Sequence, residues 1–332
     1  MAEKVRARII GIGSYLPDKV LSNTDLEKMV DTTDEWIFSR TGMRERRIAA
    51  AHEASSDMAI AASKKALEQA SVPPEEIDMI LVATATPDYL MASTAAIVQA
   101  RLGANRAAAV DIQAACTGYL YGLSIAKAYV ESKMYRTVLL VASDKMSSFI
   151  DYQDRSTCVL FGDGASAAII RDKGKGLSIE SICLGADGEL SDLIIIPGGG
   201  SRHPPSNETL LERKHYFKMA GKEVFKHAVR RMSQAARECL EQVGLQENQI
   251  SWLVPHQANE RIIDALAKQF QIPLERVGKT IHKYGNTSAS SLAITLDEMQ
   301  NEQLIKYGEY VLVVAFGGGL TWGAAMLAKT EM

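Results

Sequence analysis

The sequence predicts an α/β fold assembled from two copies of one helix–loop–strand unit, and three internal matches at a single spacing support it. Ala66-Leu67-Glu68-Gln69 returns 173 positions later as Cys239-Leu240-Glu241-Gln242. The same offset of 173 lays Ile77-Asp78-Met79-Ile80-Leu81-Val82 over Ile250-Ser251-Trp252-Leu253-Val254-Pro255. It also lays Val138-Leu139-Leu140-Val141-Ala142 over Val311-Leu312-Val313-Val314-Ala315. Strands that are apolar throughout, alternating with helical stretches, indicate mostly parallel sheets covered on both faces. Two such halves, 1–175 and 176–332, would pack with a shared helix layer between two sheets.

Each element has a local reason. Gly11-Ile12-Gly13 follows the apolar Ile9-Ile10, but Leu16 stands where a third glycine would complete a dinucleotide fingerprint, leaving that signal weak. Apolar residues at helical spacing predict a helix over Ser56–Ala70, ended before Pro73-Pro74. Met79–Ala83 reads as a buried strand. Ala107–Ala115 reads as a strand entering a helix that begins at Cys116, with Leu120, Leu123, Ala126 and Val130 at helical spacing. The polar run Arg171–Gly176 marks the boundary between halves, and Gly198–Pro205 a loop. A second amphipathic helix spans Glu223–Val243, with Val224, Ala228 and Met232 on one face and Gly244 at its end. Trp252–Pro255 is the matching strand. The polar turn Lys283–Ser291 leads into a helix through Leu292–Leu296, and Phe316–Gly323 is a glycine turn after the last long strand.

Composition narrows the function. The 332 residues carry 37 Lys+Arg against 40 Asp+Glu, a formal charge of −3, with 47% hydrophobic and 23% charged residues. That is globular composition without the basic excess that marks a nucleic-acid binder. No run approaches the roughly 20 apolar residues of a membrane helix. Met1–Arg8 alternates charges and holds no apolar leader, so a cytoplasmic location is expected. Four cysteines without CxxC spacing fit a reducing compartment, and no Cys/His cluster has metal-ligand spacing.

Three residues have the placement for chemistry. Cys116 sits where a strand meets a helix, and the backbone N–H groups and dipole of a helix start favour a thiolate. Cys158 and Cys183, in strand-like runs, and Cys239, on an amphipathic helix, read as core residues. His256 lies at the C-terminal end of a buried strand, where open α/β sheets place ligands. His282, in a strand-like run, reads as structural. Asn286 occupies a strand-to-helix junction that an offset of 170 aligns with Cys116, and alone it could be a helix cap. Pseudo-symmetry between the junctions would bring Cys116, His256 and Asn286 together. Gly317-Gly318-Gly319 could aim an N–H at a developing oxyanion or form a plain turn.

These segments, in order, resemble the β-ketoacyl-acyl carrier protein synthase III family of the thiolase superfamily, which initiates type II fatty-acid biosynthesis. The resemblance rests on Asp34-Glu35-Trp36-Ile37 with Arg40-Thr41-Gly42, Ala114-Ala115-Cys116, Phe161-Gly162-Asp163-Gly164-Ala165, His256-Gln257-Ala258-Asn259, Gly285-Asn286-Thr287-Ser288 and Phe316-Gly317-Gly318-Gly319. It implies a thiolase-like five-layer α-β-α-β-α sandwich, a homodimer, and a catalytic triad of Cys116, His256 and Asn286. It implies an oxyanion hole from the N–H groups of Cys116 and Gly318. Trp36 and Arg155 would hold the adenine of coenzyme A, with Thr32 and Arg40 nearby, while Gly221, Phe225 and Asn259 would line a pantetheine tunnel. Lys226, Arg261 and Lys268 would face an acidic carrier protein. Thr117 and Tyr119 depart from the family's usual residues beside the nucleophile. Met91 falls near a position that closes the acyl pocket from the partner subunit, which leaves longer or branched primers open.

The implied reaction is acylation of Cys116 by an acyl-CoA, most simply acetyl-CoA, then decarboxylative condensation with malonyl-carrier protein, without metal or redox cofactor. Rival readings are another condensing enzyme of the superfamily, a cysteine hydrolase and an acyl-CoA-binding scaffold. A degradative thiolase would carry a second catalytic cysteine in the C-terminal glycine turn, and Gly317-Gly318-Gly319 has none.

Overall fold

The computed structural model describes residues 5–330. Among these, the main sheet has nine strands: β1 (Arg8–Tyr15), β2 (Met79–Ala83), β3 (Ala108–Ile112), β4 (Val138–Asp144), β5 (Gly164–Arg171), β6 (Gly176–Ala186), β7 (Ile250–Pro255), β8 (Tyr310–Gly317) and β9 (Thr321–Thr330). Their order is β7-β8-β9-β6-β1-β5-β4-β2-β3. The principal helices are α1 (Asp34–Thr41), α2 (Ser55–Ala70), α3 (Thr94–Leu102), α4 (Gly118–Glu131), α5 (Gly221–Val243), α6 (Glu260–Gln269) and α7 (Ser291–Asn301).

Duplication extends to strand register. Parallel pairing sets Met79 opposite Val138 and Leu81 opposite Leu140 in the first half. The second half sets Trp252 opposite Val311 and Val254 opposite Val313, each partner 173 positions further on. Both strand pairs are sealed on two faces, which is why they read as unbroken apolar runs.

Three apolar clusters define five layers. On one outside, Met58, Ala62 and Ala66 of α2 and Val98 of α3 cover Ile80, Val82 and Val141. In the middle, Leu120 and Leu123 of α4 and Leu292 and Leu296 of α7 fill the space between Leu81 and Leu140 on one sheet and Val254 and Val313 on the other. On the far side, Val224, Ala228 and Met232 of α5 and Ile263 and Leu266 of α6 cover Leu253, Leu312 and Val314. This is the expected layering, with two amendments. The sheet is mixed where the sequence predicts mostly parallel sheets, being parallel in three of its eight strand pairings. The two halves also share it, because Arg8 pairs with Ser178 and Ile9 with Leu177. The expected boundary between halves falls in the turn between β5 and β6, next to that seam.

Glycines 11 and 13 serve packing. A Cβ at Gly11 would lie 2.6 Å from the Ala66 carbonyl oxygen, and one at Gly13 would lie 2.5 Å from the Ala66 nitrogen, so the pair lets α2 rest directly on β1. Two local expectations change. Cys158 ends a helical turn, Arg155–Cys158, and His282 lies in another, Ile281–Tyr284; neither is in a strand. Short apolar runs do not separate strand from helix by period alone.

The junctions also correct an offset. Short 3₁₀ turns at Ala115–Thr117 and Ser288–Ser290 precede α4 and α7, again 173 apart. Ala115 (φ 44°) and Ser288 (φ 52°) both take left-handed backbone at equivalent places. The counterpart of Cys116 is therefore Ala289, and Asn286 lies upstream of the turn, bridged to Phe161 of the first half.

Candidate active site

Cys116 sits in the turn that carries β3 into α4, behind a non-glycine residue held in left-handed backbone. Such strain persists only where the surroundings fix it. Cys116 is half-buried, and Ser288 Oγ lies 3.7 Å from its sulfur. Burial pushes the thiol up to about 12; the Ser288 hydrogen bond opposes this, and the carboxylate of Asp144 adds to it. Enclosure is thus the largest influence on the sulfur and favours a thiol, against the thiolate that a helix start by itself suggests.

His256 follows β7 and is 3% exposed. Its N–H donates to the Val314 carbonyl at 2.8 Å, fixing the backbone. The neighbouring Gln257 is a clamp: its Oε1 accepts from the N–H groups of Thr280 and Ile281, and its Nε2 donates to the Pro255 and Gly278 carbonyls. Burial lowers the His256 pKa to about 4, so the ring is neutral at physiological pH.

Asn286 is held by the other half of the molecule. Its N–H donates to the Leu160 carbonyl at 2.9 Å, and its own carbonyl accepts from Gly162 N–H at 3.0 Å. Its Oδ1 accepts from Ser288 N–H at 2.9 Å, two residues on, while the cap positions of the turn and of α7 fall to Thr287 and Ser290 and not to Asn286. That bond turns the amide so that Nδ2, which makes no hydrogen bond among the described residues, is available as a donor.

The three predicted residues do converge. Cys116, His256 and Asn286 line one chamber of about 50 Å³, walled further by Phe161, Phe217 and Phe316. Cys116 also opens onto a larger, mostly apolar cavity of about 730 Å³, bounded by Leu90, Met146, Phe149 and Ile195. Gly318 lines this second cavity. Gly317 packs against Cys116: a Cβ there would lie 2.8 Å from Cys116 N.

The other predicted residues divide. The Arg155 guanidinium lies 4.9 Å from the Trp36 ring centroid and that of Arg40 lies 5.8 Å from it, so these three form one cation–aromatic cluster on and beside α1. The Thr32 hydroxyl is buried without a partner among the described residues. Asn259 caps α6 through its Oδ1 and donates from Nδ2 to the Arg40 carbonyl, so it ties the two helices. Arg261 donates to the Ser39 carbonyl, joining α1 and α6 in the same way. The chamber wall comes from Val224 and Ala258, each next in sequence to the predicted Phe225 and Asn259. Gly221 begins α5, Phe225 is 39% exposed, Lys226 pairs with Glu223, and Lys268 lies in the last turn of α6. Met91 is 92% exposed and borders neither of these two cavities.

Sequence reasoning missed Ser288, Ser291 and Asp144. Ser291 Oγ lies 2.7 Å from His256 Nδ1. Asp144 is wholly buried at the end of β4; its Oδ1 accepts from Ala85 N–H and the hydroxyls of Thr84 and Thr86, and burial raises its pKa. The only signal for the serines was the turn motif itself, Asn286-Thr287-Ser288-Ala289-Ser290-Ser291, which reads as a helix start.

Two family models match this chain: 3-oxoacyl-[acyl-carrier-protein] synthase III over residues 110–188, and the C-terminal part of the same family over residues 240–329. The chain is 57% identical over 331 residues to a β-ketoacyl-[acyl-carrier-protein] synthase III of Chlamydia caviae, covering 99% of each chain. A crystal structure of 3-oxoacyl-[acyl-carrier-protein] synthase III from Aquifex aeolicus superposes with a TM-score of 0.89 at 46% identity, over 97% of this chain and 99% of that one. A priming β-ketosynthase of the R1128 polyketide pathway superposes with a TM-score of 0.90 at 36% identity, over 100% of this chain and 99% of that one.

Proposed function

The chain belongs to the β-ketoacyl-[acyl-carrier-protein] synthase III family of condensing acyltransferases, and from that premise we propose how its residues divide the reaction. Cys116 attacks the thioester carbonyl of an acyl-CoA, most simply acetyl-CoA. The N–H groups of Cys116 and Gly318 stabilise the tetrahedral oxyanion, each donor contributing about 3–4 kcal/mol. The thiol proton ends on the departing coenzyme A sulfur, so this half-reaction is a balanced thioester exchange.

Malonyl-carrier protein then enters. Its carboxylate leaves as carbon dioxide, and the electron pair of the broken C–C bond forms an enolate. His256 Nε2 and Asn286 Nδ2 donate hydrogen bonds to the enolate oxygen, so charge develops against fixed dipoles. The carbanion attacks the acyl-Cys116 carbonyl, and the C–S bond breaks with its electron pair on the sulfur. The sulfur takes one proton from solvent to restore the thiol, and a 3-ketoacyl-carrier protein is released. A neutral His256 suits this role, because the ring gives a hydrogen bond without handing over a proton. Neither half-reaction transfers electrons to an acceptor or calls for a Lewis acid, so no metal or redox cofactor is required.

The single observation that carries this reading is the chamber shared by Cys116, His256 and Asn286. The Trp36–Arg40–Arg155 cluster, with Thr32, takes the coenzyme A nucleotide, while Gly221, Phe225 and Asn259 flank the pantetheine arm. Lys226, Arg261 and Lys268 face the carrier protein. The exposed edge strand β3, with Val110 43% exposed, and the exposed Leu90 and Met91 support a homodimer in which Met91 reaches the partner's acyl cavity. Among the described residues no helix is long and apolar enough to cross a membrane. With four free cysteines this supports a cytoplasmic enzyme.

The test is to mix the protein with a panel of acyl-CoAs, find the adduct by mass spectrometry, then add malonyl-carrier protein. Acylation should map to Cys116 and vanish in Cys116→Ser. His256→Ala and Asn286→Ala should retain acylation and lose decarboxylation; equal loss of both would reject this division of labour. Release of free acid without malonyl-carrier protein would favour a hydrolase.

A further inference from the structure

A neutral imidazole carries one proton on either of two nitrogens, and only one choice lets His256 act as a donor into the chamber. The surroundings of Nδ1 decide which. Ser291 Oγ lies 2.7 Å from Nδ1, and both residues are buried, at 1% and 3% exposure. The other contact of that hydroxyl oxygen among the described residues is Gln257 N–H at 3.4 Å, which can only donate. Neighbouring hydroxyls are already committed: Ser290 Oγ donates to the Thr287 carbonyl and Thr295 Oγ1 to the Ser291 carbonyl.

Proton counting follows. If Nδ1 carried the hydrogen, the Ser291 oxygen would receive two donors and its own buried proton would have no acceptor. If Ser291 O–H donates to Nδ1, each hydrogen has a place: Gln257 N–H to Ser291 Oγ, Ser291 O–H to Nδ1, and the ring proton on Nε2. Buried polar groups are nearly always satisfied, so the second arrangement is favoured. We propose that Ser291 is a positioning residue that holds His256 as the Nε2–H tautomer, and so makes it a hydrogen-bond donor in the decarboxylation half-reaction. The functional part rests on the role proposed for His256; the tautomer does not.

Ser291 occupies the first position of α7, directly after the turn that carries Ser288. One turn and helix start therefore presents a hydroxyl to the Cys116 sulfur and another to the back of the imidazole.

The experiment uses full-length protein with ¹⁵N-labelled histidine and reads the tautomer from long-range ¹H–¹⁵N correlations at neutral pH. Subtracting the spectrum of His256→Ala assigns the ring among the six histidines. The expected wild-type result is a protonated Nε2 and a lone-pair Nδ1. In Ser291→Ala that pattern should collapse towards a mixture, with malonyl decarboxylation down at least about tenfold, short of the roughly 10²–10³ lost with an oxyanion donor. Acylation of Cys116 should stay within about twofold, which also shows that the variant is folded. Ser291→Thr, which keeps the hydroxyl, should restore the pattern. A protonated Nδ1 in the wild type overturns the proposal whatever the activities, as does an unchanged tautomer in Ser291→Ala. A tautomer lost in Ser291→Ala with full decarboxylation would uphold the hydrogen-bond assignment and reject the role proposed for His256.

Discussion

Gly317→Ala probes how rigidly the nucleophile is held. The added Cβ would lie 2.8 Å from Cys116 N, 3.1 Å from its Cβ and 3.2 Å from its Cα, whereas ordinary contact begins near 3.4 Å. Relieving the closest approach needs a displacement of about 0.6 Å (3.4 − 2.8), and two of the three neighbours are backbone atoms. Gly317 ends β8, which is hydrogen-bonded between β7 and β9, so the turn bearing Cys116 is the part expected to yield. A misplacement of about 1 Å can cost 10²-fold in rate, so a loss of about tenfold to thirtyfold in acylation is expected. Overpacking of this kind destabilises by about 1–3 kcal/mol. The assay is the rate of acyl-Cys116 formation by mass spectrometry, with thermal unfolding measured in parallel. Gly188→Ala, where the new methyl meets nothing within 4 Å, is the control. Wild-type acylation by a destabilised Gly317→Ala would show that the strand end gives way instead. That result would refute the coupling of position 317 to the nucleophile.

Other predictions follow from the buried groups. Alkylation of Cys116 by iodoacetamide should rise about tenfold per pH unit from pH 6 to 9 without a plateau, since the thiol sits near 12; a plateau near neutrality would show a stabilised thiolate. His256 is held neutral down to about 4 in the folded protein against 6.5 for a free ring, so the unfolded chain binds the extra proton between those values. Stability from this ring should therefore fall by about 3 kcal/mol as pH drops from 6.5 to 4, and the urea midpoint of His256→Gln should lack that component. The Tyr119 hydroxyl is fully buried and has no hydrogen-bond partner among the described residues, so Tyr119→Phe should raise stability by about 1 kcal/mol in urea unfolding; a loss would reveal a partner.

The convergence of Cys116, His256 and Asn286 was legible because each is a polar group at the end of an apolar run, and duplication suggested which ends come together. The 173-residue spacing even carried the strand register, Met79–Val138 onto Trp252–Val311. The junction was harder. Asn286 looked like the counterpart of Cys116 because both are chemically able, but backbone angles at Ala115 and Ser288 set the correspondence, and no side-chain pattern reveals them. Ser291 and Asp144 stayed hidden for another reason: a serine opening a helix and an aspartate closing a strand have ordinary local explanations, and only folding brings them under His256 and Ser288. The thiol's high pKa was likewise out of reach, since enclosure depends on how tightly the halves close.

That closure also governs how the enzyme fails. Asn286 is pinned by the main chain at Leu160 and Gly162, and Cys116 rests on Gly317, so these two groups are held from across the divide, while His256 is held within its own half. Prying the two lobes apart by a fraction of an ångström would scatter the trio while both lobes kept their helices and strands. On gradual denaturation, turnover should vanish before circular dichroism changes, making catalysis an early gauge of damage along that join.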